Sequence, residues 1–274
     1  MRMQVWVGIG MLVAAVAGCS HVDPTREEFT IRTPDGITLR GAILPAKRET
    51  GPLGGPPVTV VYSHPWLMTR DFGSSMIEEI RERGWQVVVY DQRGHGQSTM
   101  ATSTFGAMES RDLAHLIETL QKRKKISETI YVMGISLGGS TSLTYAATHP
   151  SCKGVLACVP VDGLPGAMHR MCLFATLIQA KKIAREMAYR NGFTLEETTP
   201  SKVGRRARCP LVIVVAEQDM IVPQTQTDMI YYNWGGPKRR YDKMGTHTSI
   251  LYGRDGWYAD RLEEVMKMAD GKKP

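Results

Sequence analysis

The residues best suited to covalent chemistry are Gly134, Ser136 and Gly138, which form a Gly-x-Ser-x-Gly pattern. An apolar, β-branched run from Thr129 to Met133 predicts a buried strand before the pattern, and Leu137 to Thr148 predicts a helix after it. A serine on such a strand-turn-helix bend is exposed as a nucleophile on a strained backbone. Both glycines are expected because a Cβ atom at either position would collide with the neighbouring strand or helix.

A serine hydroxyl needs a base within hydrogen-bond reach, and that base needs an acid to orient it. Asp219 follows the most hydrophobic strand-like run of the chain after the N-terminal segment, and His247 lies in the loop before the last predicted helix. Ser136, Asp219 and His247 therefore supply a nucleophile, an acid and a base in that order along the chain.

Buried strands alternate with helices along most of the chain. The predicted strands are 29–32, 37–44, 58–62, 86–90, 129–133, 154–159, 211–216 and 239–243, and the predicted helices are 71–83, 106–125, 137–148, 164–189, 224–233 and 256–268. This alternation predicts a mostly parallel sheet with helices on both faces, and the first two strands predict an antiparallel hairpin at its edge. Ligand chemistry in such sheets gathers at the carboxyl ends of the strands, where the three candidate residues stand.

The composition is that of an ordinary globular protein, with 274 residues, 42% hydrophobic and 22% charged. That length suits one large domain or two small ones. The formal net charge is +7, but the basic residues are scattered and lack interleaved aromatic residues, so we expect no nucleic-acid partner. The residue spacing suggests neither a metal site nor a nucleotide cofactor.

The N-terminus predicts an exported protein with a lipid anchor. The uncharged apolar run Val5 to Ala17 is too short to span a bilayer and has the pattern of a signal peptide. Val16-Ala17-Gly18-Cys19 resembles the bacterial lipobox, which implies removal of residues 1–18, acylation of Cys19 and attachment to a membrane through that lipid. Ser20 favours the outer membrane of a bacterial cell envelope that has two membranes. An ordinary secretory signal is the alternative.

Export would place the remaining cysteines in an oxidising compartment, where disulfides persist. Cys152 and Cys209 each stand just before an apolar strand-like run. If those two strands are parallel neighbours, both cysteines lie at the same sheet edge within bridging distance, and we predict a disulfide between them. Cys158 and Cys172 have the character of small buried hydrophobic residues.

Five segments together resemble the α/β-hydrolase superfamily. They are Thr33-Pro34-Asp35-Gly36, Asp91-x-Arg93-Gly94-His95-Gly96-x-Ser98, Gly134-x-Ser136-x-Gly138-Gly139, Glu217-x-Asp219-x-x-Val222-Pro223 and Gly245-Thr246-His247. Within the superfamily, residues 27–270 are similar to the group of monoacylglycerol lipases, lysophospholipases and S33 aminopeptidases. The resemblance implies an α/β-hydrolase fold with a twisted, mostly parallel sheet of about eight strands and a small helical cap. It implies one hydrolase domain at 19–274, with the cap inserted at 163–208.

The resemblance also assigns roles to the candidate residues. Ser136 becomes the nucleophile, His247 the general base and then the general acid, and Asp219 the acid that orients the imidazole. Glu217 and Asp162 are alternative acids, because some relatives carry the acid one strand earlier.

An oxyanion hole needs two backbone N–H groups, and the first is expected from Leu137 at the start of the helix after Ser136. The second donor of the family follows a His-Gly pair, which here is His64-Pro65. Proline has no N–H, but the donor position itself is Trp66, whose N–H is retained. His64 and His95 compete with His247 as the base, although the family uses the motifs that contain them as structural support.

Three functions are compatible with these residues. The first is hydrolysis of a carboxylic ester (an acylglycerol, a lysophospholipid or a smaller acyl ester) through an acyl-enzyme. The apolar, methionine-rich insert would suit an acyl chain, or it would merely pack on the sheet. The second is an aminopeptidase-type reaction on the same residues, with Glu186, Glu196 and Glu197 offering a subsite for the α-amine. The third is a non-catalytic envelope lipoprotein that binds a ligand, against which the complete set of Ser, Asp and His argues.

Overall fold

The computed structural model describes residues 25–48, 57–171, 176–251 and 255–272. The signal peptide predicted at residues 1–18 and the lipid-bearing Cys19 lie outside these ranges, so both stay predictions. Within the described ranges, no helix has the length and apolar character needed to cross a bilayer.

Eight strands form one sheet: β1 (Glu27–Arg32), β2 (Thr38–Leu44), β3 (Val58–Ser63), β4 (Gln86–Asp91), β5 (Thr129–Ile135), β6 (Cys152–Cys158), β7 (Leu211–Ala216) and β8 (Lys238–Lys243). Their order across the sheet is β1-β2-β4-β3-β5-β6-β7-β8. Strand β2 runs antiparallel to β1 and β4, and all other neighbours are parallel. The structure thus confirms the mostly parallel sheet with an antiparallel hairpin at one edge.

The central strands are buried on both faces, whereas the edge strands are not. In β7 all six residues are buried, which is the pattern of a strand covered by helices on each side. In β1, Phe29 and Ile31 are buried while the residues between and beside them are exposed. Strand β8 has the sequence KRRYDK and no buried residue, and such charged side chains discourage further strand pairing at an edge.

Helices cover both faces of the sheet: α1 (Ser74–Glu82), α2 (Ala107–Lys122), α3 (Leu137–Thr148), α4 (Leu164–Met171), α5 (Leu177–Asn191), α6 (Pro200–Val203), α7 (Gln224–Asn233) and α8 (Trp257–Ala269). Buried side chains of α2, α3 and α7 share one apolar cluster with the sheet, and those of α1 and α8 share a second cluster on the opposite face. The alternation of strand residues between these two clusters produces the three-layer architecture predicted from the sequence.

The single helix predicted at 164–189 is wrong, because the structure has the two helices α4 and α5 there. Helix α5 begins at a capping box: the Gln179 N–H donates to the Thr176 hydroxyl over 3.2 Å, and the Thr176 N–H donates to the Gln179 side chain over 2.8 Å. It ends at Gly192, whose φ of 66° is the left-handed conformation common at helix C-termini. The apolar pattern continues across both helices and therefore conceals the break.

Cys152, at the start of β6, and Cys209, just before β7, are in contact through their side chains. Both are free thiols in the structure, so the predicted disulfide is not formed here and stays a prediction. The hydrogen bond with Cys209, together with burial, holds the pKa of the Cys152 thiol far above its usual value. The same bond lowers the pKa of Cys209. The two thiols therefore share a hydrogen bond at this end of the sheet.

Candidate active site

Ser136 occupies the bend between β5 and α3, with φ 53° and ψ −115°. A positive φ is uncommon for a residue other than glycine, so the bend is strained. A Cβ atom on Gly134 would collide with the Gly138 carbonyl, and one on Gly138 would collide with the Ser63 carbonyl. The two glycines therefore have the steric role that the sequence predicts.

Asp219 and His247 form a partly buried hydrogen bond of 2.7 Å between Oδ2 and Nδ1. A carboxylate can only accept, so Nδ1 carries the proton and Nε2 is left as the basic nitrogen. The other carboxylate oxygen of Asp219 accepts the N–H groups of Ile221 and Val222, each over 2.8 Å. Only 1% of the Asp219 side chain and 10% of the His247 side chain is exposed. The acid is held rigidly and the imidazole is oriented by it.

The alternative acids have other positions. The Asp162 carboxylate accepts the Ser201 N–H over 2.8 Å and the Ser201 hydroxyl over 2.7 Å, so it anchors α6 rather than a histidine. Glu217 is exposed to solvent at the end of β7. Of the three acidic residues considered, Asp219 is the one whose carboxylate meets His247.

The alternative bases are engaged in the interior. His64 Nε2 accepts the Gln92 N–H over 3.0 Å, and because that donor fixes the tautomer, Nδ1–H donates to the Pro65 carbonyl over 2.7 Å. Burial lowers the pKa of His64 to about 4. His95 Nδ1 lies 2.9 Å from the Arg93 carbonyl oxygen, and its ring packs edge-on against that of His64. Both rings support loops, as the resemblance implies.

The second contact of the candidate triad is not closed: the described residues include no hydrogen bond between the Ser136 hydroxyl and the His247 ring. Ser136 follows β5, Asp219 follows β7 and His247 follows β8. All three therefore lie on the side of the sheet where the carboxyl ends of the parallel strands are. Catalytic hydrogen bonds are often long before substrate binds and shorten in the reactive complex.

Two elements carry the candidate oxyanion donors. Leu137 is the first residue of α3, and the first N–H groups of a helix have no acceptor within it. Trp66 belongs to the turn that leaves β3. We call residues 63–67, which begin with the last residue of β3, the oxyanion turn; it ends at Leu67 with a φ of 63°. Pro65 is buried in this turn. Because Gly138 packs on the Ser63 carbonyl, α3 and the oxyanion turn are in direct contact.

The surroundings of the candidate site are apolar. A buried cluster joins the insert to the site; its members are Phe105, Ala107, Leu137, Val161, Leu164, Ala167, Ala184, Ala188, Phe193 and Val222, with Trp66 and Met168 packed against them. Leu67, Met220 and Met244 are 59%, 90% and 69% exposed. They stand on the three loops that carry Trp66, Asp219 and His247.

The polar loop 91–98 stabilises the sheet edge beside the site. Arg93 forms a bidentate pair with Asp112 of α2, over 2.7 and 2.6 Å, and also reaches Asp35 over 3.0 Å. The motif predicts a structural role for Arg93, but no periodicity or motif identifies Asp112 as its partner. Within the described ranges, no group of three or more His, Cys, Asp or Glu side chains is arranged to hold a metal ion.

Sequence reasoning missed Gln92, which is 1% exposed and bonds to both elements of the candidate oxyanion hole. Gln92 stands at the second position of the Asp-x-Arg-Gly motif, where the motif specifies no residue type. A polar residue directly after a strand buried on both faces was the only available signal.

Known proteins with similar sequences and structures share this architecture. A family model for the alpha/beta hydrolase fold matches residues 58–172. The Pyrococcus furiosus esterase Pf2001 has a similar structure, with a TM-score of 0.71 and 18% sequence identity over 89% of this chain and 92% of that chain.

Two relatives are similar in sequence over most of the chain. The uncharacterized protein YqkD of Bacillus subtilis is 25% identical over 220 residues, 77% of this chain and 71% of YqkD. A thermostable monoacylglycerol lipase of Bacillus sp. strain H-257 is 25% identical over 206 residues, 68% of this chain and 78% of the lipase. The strand order, the strained serine bend and the family match over residues 58–172 together show that this chain has the α/β-hydrolase fold.

Proposed function

We propose that this protein is a serine hydrolase that cleaves carboxylic esters through an acyl-enzyme. The observation that carries the proposal is the 2.7 Å bond between Asp219 and His247 at the sheet edge where Ser136 stands on a strained bend. A serine, a histidine and a buried acid in these relations are the parts of an activated nucleophile.

In the proposed reaction, the Ser136 oxygen attacks the acyl carbon while His247 Nε2 takes the hydroxyl proton. The Asp219 carboxylate stabilises the imidazolium that forms. The N–H groups of Leu137 and Trp66 donate to the oxyanion of the tetrahedral intermediate. His247 then returns the proton to the departing alkoxide, and a water molecule activated by the same ring hydrolyses the acyl-serine.

The apolar surroundings favour an ester with an acyl chain, such as an acylglycerol, a lysophospholipid or a smaller acyl ester. Met220 and Met244 are flexible, exposed and adjacent to the loops of the acid and the base, so they can contact an acyl chain of variable shape. The relative named as a monoacylglycerol lipase and the structural neighbour named as an esterase support the same substrate class.

The contacts of the three glutamates favour an ester over a peptide. Glu186 pairs with Arg190, Glu196 with Arg206 and Glu197 with Arg111, over 2.6, 3.0 and 2.6 Å. An aminopeptidase needs an uncompensated carboxylate for the α-amine of its substrate. These carboxylates already have cationic partners, which weakens the peptidase alternative.

A chemical probe and two substrate series test the proposal. The full-length protein is treated with a fluorophosphonate and then assayed with p-nitrophenyl esters of graded chain length and with aminoacyl anilides. We expect labelling at Ser136 and ester cleavage. Absence of labelling would favour a non-catalytic lipoprotein, and anilide cleavage without ester cleavage would favour the peptidase.

We also propose that Cys19 is acylated and holds the protein on the bacterial cell envelope. The basis is the lipobox-like sequence Val16 to Cys19. Cells fed an alkyne-tagged fatty acid should label the protein, and Cys19→Ala should lose both the label and its membrane association. Equal labelling of the variant would refute the anchor.

A further inference from the structure

We propose that Gln92 is a positioning residue that sets the spacing between the two donors of the oxyanion hole. Its buried side chain joins the oxyanion turn, which carries Trp66, to helix α3, which carries Leu137. The inference rests on the proposed function, because this spacing affects catalysis only if Ser136 reacts with an acyl group.

The first half of the link is a pair of hydrogen bonds to His64. The Gln92 backbone N–H donates to His64 Nε2 over 3.0 Å, and its side-chain Nε2 donates to the His64 carbonyl over 2.6 Å. His64 Nδ1–H in turn donates to the Pro65 carbonyl over 2.7 Å. The residue immediately after Pro65 is the candidate donor Trp66, so these three bonds fix the backbone that leads into it.

The second half of the link reaches α3. The hydroxyl of Thr141, one turn after Leu137, donates to Gln92 Oε1 over 2.9 Å. The orientation of the amide is determined by its partners, since the His64 carbonyl can only accept and must therefore face the NH₂ group. Gln92 is 1% exposed, and His64 and Thr141 are fully buried.

Burial makes this link difficult to replace. Removing the amide leaves the His64 carbonyl without that partner, and a buried polar group left unsatisfied is costly. The Thr141 hydroxyl would keep only the Leu137 carbonyl, 3.1 Å away in its own helix, so α3 would lose its hydrogen bond to residue 92. The turn or the helix would then shift to find new partners. Because catalytic hydrogen bonds must be made to the transition state with near-ideal geometry, a small shift of Trp66 relative to Leu137 weakens catalysis more than substrate binding.

The His64 ring keeps its acceptor role over a wide pH range. Burial lowers its pKa to about 4, so Nε2 remains unprotonated at neutral pH and continues to accept the Gln92 N–H. The link is thus made entirely of neutral groups, and it adds no charge near the developing oxyanion.

The test compares Gln92→Met, which keeps an unbranched side chain of similar length, with Gln97→Met as the matched control. Gln97 is exposed and lies in the same loop. For the full-length Gln92→Met protein acting on a p-nitrophenyl ester, we expect kcat to fall about ten- to a hundredfold with KM changed less than about threefold. The inhibition constant of a trifluoromethyl ketone, which forms a tetrahedral oxyanion on the serine, should rise by a similar factor.

Two further variants distinguish positioning from a loss of folding. Thr141→Val removes the opposite end of the link and should lower kcat in the same way. The double variant Gln92→Met/Thr141→Val should have a kcat no lower than that of the more impaired single variant, because both changes break the same link. Gln92→Glu offers a donor only when its carboxyl is protonated. Its activity relative to the wild type should therefore increase as the pH is lowered.

Hydrogen exchange gives a readout that does not depend on activity. Backbone amides of residues 63–67 should exchange faster in Gln92→Met than in the wild type or in Gln97→Met. Unchanged kcat and unchanged exchange in Gln92→Met would overturn the inference while leaving the proposed function intact. Faster exchange in Gln92→Met, together with a wild-type protein that cleaves no ester, would support the link and refute the proposed function.

Discussion

At the scale of residues, Asp219 and Asp162 have different partners. Asp219 orients His247, so Asp219→Asn should leave the imidazole in the wrong tautomer and lower kcat on the order of a thousandfold or more. Asp162 anchors Ser201, so Asp162→Asn should retain nearly full activity. Both variants are compared at saturating p-nitrophenyl ester. If Asp162→Asn proved to be the inactive one, the acid would lie one strand earlier than we propose.

His64 also makes the stability of the protein depend on pH. Its pKa is about 4 in the folded protein and 6.5 in the unfolded chain. The unfolded state therefore binds more protons between these values, and stability falls as the pH is lowered from about 6.5 towards 4. At pH 4 the loss from this one group is about 3 kcal/mol.

Urea unfolding at a series of pH values measures this effect. The decrease between pH 7 and pH 4 should be smaller by about 3 kcal/mol in His64→Asn than in the wild type. Gln97→Asn is the control, since Gln97 is exposed and its amide does not titrate, so it should leave the pH dependence of the wild type unchanged. Equal slopes for the wild type and His64→Asn would contradict the burial of a neutral imidazole.

At the scale of elements, the close packing of α3 on the oxyanion turn requires Gly138. A methyl group at this position would collide with the Ser63 backbone, so Gly138→Ala should abolish ester hydrolysis by displacing α3. Gly166 of α4 is the matched control, because its added methyl group would meet the flexible end of Gln226 at 3.3 Å. Circular dichroism, thermal unfolding and kcat are measured for both. Full activity in Gly138→Ala would show that the helix and turn are not packed as described.

The adjacent starts of β6 and β7 make the Cys152–Cys209 disulfide a testable prediction. Oxidation with glutathione disulfide should form the bond and release two glutathione thiols. The bond would close a loop that contains the whole insert, and the entropy model gives a stabilisation of about 4 kcal/mol for a loop of this size. Thiol titration measures the formation of the disulfide, and thermal unfolding measures the stabilisation. Cys152→Ser is the control for both. No loss of thiols in the oxidised wild type would refute the pairing.

The elements also show where sequence information is sufficient. The β-branched runs and their flanking glycines predict the central strands, because each pattern is local and buried strands have a strong composition signal. The break between α4 and α5 was not predicted, although Thr176 and Gln179 have the spacing of a capping box. The continuous apolar pattern conceals this local signal.

At the scale of the whole molecule, sequence order anticipated which residues share one end of the sheet. Ser136, Asp219 and His247 follow β5, β7 and β8, and the parallel topology places the carboxyl ends of these strands on the same side. The partners of Arg93 and Gln92 are far away in the chain, and no single-sequence pattern records such pairs. Candidate catalytic residues are therefore recognisable from motifs, while the residues that position them require the structure.

In the proposed reaction, His247 activates the Ser136 hydroxyl, and Ser136 then forms a covalent acyl intermediate. The most direct measurement uses p-nitrophenyl dimethylcarbamate, whose carbamoyl-enzyme is hydrolysed slowly. Peptide mass spectrometry of the full-length protein should find one carbamoyl group on Ser136, with release of an equal amount of nitrophenolate, and none in Ser136→Ala or His247→Ala. Carbamoylation of another residue, or equal carbamoylation in the His247→Ala protein, would contradict the account.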